Sequence, residues 1–148
     1  MPDQAGRRSP RHTTCFDELA AALRTHAKGL YHAEAAVELL IGHKRWLCRS
    51  EFVSRFVWVG RALVGGGLLA VVDWPAAVKA LAAGGLPCSD SEGRVLRIAA
   101  SIAAGVPIDL SDCLSTLDST NVVLVARAVL TAGGHREAAA ALVGVMSR

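Results

Sequence analysis

Three features of the 148-residue chain predict an all-α fold, a compact bundle of about seven to nine short helices. The chain carries 26 alanines, and alanine is the best helix former and a poor strand former. Only seven residues are aromatic, so the apolar content is mostly small side chains that suit close helix packing. Glycine and proline recur at intervals that stop one helix and start the next. Hydrophobic residues make up 52% and charged residues 20%, which excludes disorder over the whole length.

Residues 1–12 are polar and basic (Arg7, Arg8, Arg11) without apolar periodicity, and predict a disordered arm ahead of one helical domain over 13–148. A first helix follows Thr13 or Thr14, whose hydroxyls are candidate caps. Asp17 and Glu18 suit its positive end, and Gly29 stops it. The second, about Leu30 to Lys44, gathers Ala33, Ala36, Val37, Leu40 and Ile41 on one face, with Glu34 and Glu38 on a solvated side. Ser50 caps a third, with Phe52, Val53, Phe56 and Val57 as its apolar stripe.

Gly60 to Val72 reads two ways. The uncharged apolar run Ala62–Val72 is eleven residues long, short of the about 20 that span a membrane, and fits a buried core helix. Gly65, Gly66 and Gly67 disfavour a helix interior by about 1 kcal/mol each, so either close backbone approach or a chain break is expected there. Asp73 then caps a helix with Pro75 in its first turn and Gly84-Gly85 at its end. Ala82-Ala83-Gly84-Gly85-Leu86-Pro87 is echoed by Ala103-Ala104-Gly105-Val106-Pro107. Two such echoes are fewer than a repeat family requires. Helices are expected at about 91–104, 110–117, 119–132 and 135–146.

Arg7-Arg8 precedes no apolar core, and the four cysteines form no C-x-x-C pair, which points to reduced thiols in a cytoplasmic chain. The net charge of +3 is unevenly placed. Residues 24–61 hold seven bases and three acids, whereas residues 62–148 hold six bases and seven acids.

No motif assembles a coherent reaction. His32-Ala33-Glu34 with Pro87-Cys88-Ser89-Asp90-Ser91 parallels in part the H-x-E…P-C-x-x-C pattern of zinc nucleobase deaminases, but Ser91 replaces a cysteine ligand. Gly65-Gly66-Gly67-Leu68-Leu69-Ala70 matches a dinucleotide loop formally. That loop needs a long helix and then a strand, and Asp73-Trp74-Pro75 intervenes. His32 and His43 stand eleven residues apart, about 16 Å along a helix, too far to share a metal. No catalytic, cofactor or metal residue is assigned.

The remaining lead is the basic segment 43–61. It reads as helix, connector, helix, and would offer Lys44, Arg45, Arg49, Arg55 and Arg61 to a partner or to nucleic acid. Set against a helix-turn-helix, it places Glu38, His43 and Glu51 where small or apolar residues belong. The leading expectation is a non-enzymatic binding or regulatory module working through protein–protein contact, with another protein or itself. A DNA-associated protein using residues 43–61 is the first alternative, and a small enzyme built from dispersed residues such as His32, Glu34, Glu38 and His43 the second.

Overall fold

The computed structural model describes residues 15–146; the basic arm and the expected Thr13/Thr14 cap lie outside the described residues. These form eight helices and two strands: α1 (Phe16–Ala27), α2 (Tyr31–His43), α3 (Ser50–Phe56), β1 (Val57–Arg61), β2 (Leu68–Val72), α4 (Trp74–Ala82), α5 (Asp90–Ala104), α6 (Leu110–Leu114), α7 (Ser119–Ala132) and α8 (Arg136–Met146). The fold is mostly helical, but the all-α expectation needs correction at one place.

That place is Gly60–Val72, which forms no core helix. Val57-Trp58-Val59 and Leu68–Val72 are β-branched or aromatic in large part and pair antiparallel, with Trp58 opposite Val71 and Gly60 opposite Leu69. The glycines serve the connection. Gly65 and Gly66 adopt φ of 81° and 64°, a region L side chains disfavour, and Ala62 N–H closes the loop on the Gly67 carbonyl at 2.8 Å. Val57, expected on the stripe of α3, is instead the first residue of β1.

The helix stops and starts follow local chemistry. Asp73, Ser89, Asp109 and Asp118 each accept a hydrogen bond from a backbone N–H in the first turn of the helix that follows. Ser50 is not a cap; it is the first helical residue, and Arg49 precedes it in extended backbone. Gly29 and Gly105 end their helices at φ of 94° and 66°.

Helix α2 runs through the centre, buried on two sides. Val37, Leu40 and Ile41 join Leu19 and Leu23 of α1, Trp46, Phe52, Phe56 and the inner residues of the hairpin, Val57, Ala70 and Val72. Ala35, Ala36 and Leu39 face Val95, Ile98 and Ala99 of α5 and Leu124, Val125 and Ala128 of α7. Small side chains permit this approach. A Cβ on Gly42 would stand 2.9 Å from Leu124 Cδ2, closer than a van der Waals contact.

Candidate functional site

The five basic residues singled out by the sequence are not equivalent in the fold. Arg49 donates to the Pro87 carbonyl at 2.7 Å, pairs with Glu92 and lies 4.6 Å over the Trp46 ring. Arg55 donates to Glu51 and to the Gly85 carbonyl, each at 3.0 Å, and stacks on Phe56. Arg61 donates to Gly66 O at 3.1 Å within the hairpin loop. These three guanidinium groups tie α3 and the hairpin to the chain around them. Lys44 and Arg45 are exposed and make no side-chain hydrogen bond or ion pair among the described residues.

Lys44 and Arg45 border a hollow of about 520 Å³ with His43, Cys48, Arg49 and Glu92. Its backbone is strained. Lys44 is the only described non-glycine residue at positive φ, 68°, and Arg45 N–H donates to His43 O at 2.8 Å, closing a γ-turn. Nδ1 of His43 is buried without a hydrogen-bond partner. Burial holds the His43 imidazole below its ordinary pKa, with Arg45 and Arg49 acting in the same direction and Glu92 and Asp118 opposing.

The dispersed enzyme candidates are not gathered. Glu34 pairs with Arg136 and Glu38 with Arg24 in one cleft, while His43 borders a different hollow. Glu38 is exposed as expected and Glu34 is half-buried, and each ends in an interhelical salt bridge. Among the described residues no three His, Cys, Asp or Glu side chains converge with metal-ligand spacing. Burial pushes the Cys88 thiol up, with Glu92 adding to the shift, which favours the protonated form over the nucleophilic thiolate. No helix among the described residues is long and apolar enough to cross a membrane.

The largest departure from an ordinary surface is the hairpin. Its inner face buries Val57, Ala70 and Val72. Its outer face is apolar too, with Trp58 71% exposed beside Val71 and Leu69, and at the tip Leu63 is fully exposed and Val64 90%. Antiparallel sheets with one solvated face normally alternate apolar and polar residues, and this one does not. Only Arg61 carries a charge between Val57 and Val72.

One edge of the hairpin is poised for pairing. The bond from Ala62 N–H to Gly67 O and that from Asp73 N–H to Phe56 O place 62/67 and 56/73 in hydrogen-bonded register. By alternation, 60/69 and 58/71 are hydrogen-bonded as well, and the backbone polar groups of Val57, Val59 and Arg61 point away from β2. Val57 N–H is used by Val53 O at the end of α3. The strand thus presents two N–H and three C=O groups in a row with no proline, bulge or lysine to blunt them.

Sequence reasoning missed this surface. Its signal was Val57-Trp58-Val59 before a glycine-rich turn, outweighed there by the helical stripe ending at Val57 and by the alanine-rich composition. Comparisons with protein-family models, with curated proteins and with solved structures give no match to this chain.

Proposed function

We propose that the chain is a protein-interaction module that acts by binding rather than by chemistry, and that β1 is its contact element, pairing antiparallel with β1 of a second copy. The observation that carries this reading is the exposed apolar hairpin with an open edge. A two-fold axis at Val59 pairs Val59 with its symmetry mate and Val57 with Arg61, so both free N–H groups of each strand and the carbonyls of Val57 and Val59 find partners. The Arg61 carbonyl stays with solvent, because the Val57 N–H opposite it is held by Val53 O. The same register sets Trp58 opposite Gly60 in the closer, non-hydrogen-bonded kind of pair. The indole then covers the gap left by a residue with no side chain, a recognised way of rescuing a strand glycine. With one charge per hairpin, there is little like-charge repulsion to oppose the pairing.

Sedimentation velocity over a concentration series tests this reading. The wild-type chain is expected to pass from one to two copies as concentration rises. Val59→Pro removes an N–H that faces the partner and not β2, so the hairpin should survive while the dimer is lost. Trp58→Ser should weaken association about tenfold or more, through loss of the large apolar side chain. A wild-type chain that stays single at high concentration, or a Val59→Pro dimer as stable as wild type, contradicts the proposal.

The free Lys44 and Arg45 beside a strained turn favour a second reading, contact with nucleic acid through the 43–49 connector. It predicts duplex DNA binding that falls steeply with salt and loses about one unit of salt slope for each of Lys44→Ala and Arg45→Ala. Binding that is absent at low salt removes it.

A further inference from the structure

Between α1, α2, α7 and α8 lies a cleft of about 290 Å³ that the binding surface does not use. Three guanidinium groups line it, those of Arg24, Arg127 and Arg136, together with two carboxylates. Both carboxylates are engaged. Glu38 accepts from Arg24 at 2.6 and 3.1 Å, and Glu34 accepts from Arg136, whose guanidinium also lies 5.0 Å from the Tyr31 ring. Arg127 has no ion pair or side-chain hydrogen bond among the described residues, and its Nε is buried without a partner. Arg127 as a whole is half-buried, and a guanidinium nitrogen held out of water without an acceptor carries a desolvation cost that a bound anion relieves. Thr131 stands one turn further along α7, on the same side of the helix, and also lines the cleft.

We infer that this cleft binds a small monocarboxylate with a short apolar tail. The charge inventory leaves one positive charge unmatched, which suits a singly charged ligand. Arg127 can hold a carboxylate through two parallel N–H donors, and Thr131 can donate a third hydrogen bond. The other walls, Ala27, Val37 and Ala139, are apolar and suit an aliphatic tail. The volume lies at the low end of the about 300–1,000 Å³ typical of ligand pockets, so the ligand is a small molecule.

Butyrate is the probe, with its uncharged isostere butyramide and inorganic phosphate as comparisons, followed by methyl and amide NMR shifts. Butyrate is expected to give saturable shifts at Val37, Thr131 and Ala139, with butyramide and phosphate giving none there. Arg127→Gln should weaken butyrate at least about tenfold and Arg127→Lys less, because lysine keeps the charge but loses the paired donors. Ala140→Leu narrows the cleft from its exposed rim without touching Arg127, and should also block butyrate. Melting curves establish that each variant is folded. No saturable shift with butyrate, equal response to butyramide, tighter binding of phosphate, or undiminished butyrate binding by folded Arg127→Gln or Ala140→Leu would each overturn the inference. None of these readings depends on whether β1 self-associates.

Discussion

The amide of Arg45 donates to the carbonyl of His43 across 2.8 Å, which holds Lys44 between them at a φ of 68°. This turn ends α2 and redirects the chain so that Trp46 and Leu47 enter the core while Lys44 and Arg45 stay in solvent. A lysine there carries backbone strain that glycine would not.

Lys44→Gly is accordingly expected to stabilise the fold by about 1 kcal/mol, the relief of left-handed strain outweighing glycine's greater unfolded-state freedom. Thermal unfolding should shift upward by about 2–4 °C for a chain of this size. A lower melting temperature would show that the lysine side chain, and not the backbone, determines stability at this turn.

Stability should also depend on pH through His43. Its folded pKa lies below the unfolded value near 6.5, because burial penalises the imidazolium. As pH falls through that value the unfolded chain takes up the proton first. The contribution is therefore intact above about pH 6.5 and is lost progressively below it, down to the folded pKa. Urea unfolding at pH 7.5 and pH 5.5 should show a larger loss for wild type than for His43→Gln. Equal losses in the two proteins would assign the acid sensitivity elsewhere.

Trp46 is a second point where one side chain links distant segments. It is fully buried, donates from Nε1 to the Glu92 carbonyl at 2.9 Å and packs 5.2 Å from the Phe52 ring. Trp46→Phe keeps the aromatic contact but removes the hydrogen bond and leaves a small void, so a cost of about 1–3 kcal/mol is expected. Chemical denaturation measures it. A neutral result would mean that Phe52 and Phe56 repack to fill the space.

Much of the helical fold was legible because its signals are local. Asp73, Ser89 and Asp109 each stand before a helical run, and Gly29, Gly84 and Gly105 stand after one; the structure uses all six at helix ends. The hairpin was not legible, because Ala62–Val72 as an apolar run is equally compatible with a core helix, and only its pairing with Val57–Arg61 decides the matter. The basic segment looked uniform in sequence. The fold divides it, since Arg49 and Arg55 meet carbonyls and carboxylates 30 or more positions along the chain or one turn away, whereas Lys44 and Arg45 meet none. Arg127 carried no signal, because its isolation depends on Arg24 and Arg136 claiming Glu38 and Glu34 from other helices.

Amide hydrogen exchange on β1, followed as protein concentration rises, tests edge pairing most directly. Trp58 and Gly60 bond to β2 and should be protected at every concentration, whereas Val59 and Arg61 point outward and should exchange freely when the chain is dilute. If two copies pair through β1, protection at Val59 and Arg61 appears with concentration and in step with the rise in mass. If the mass rises while Val59 and Arg61 remain unprotected, or if neither changes, the pairing of β1 with itself is wrong.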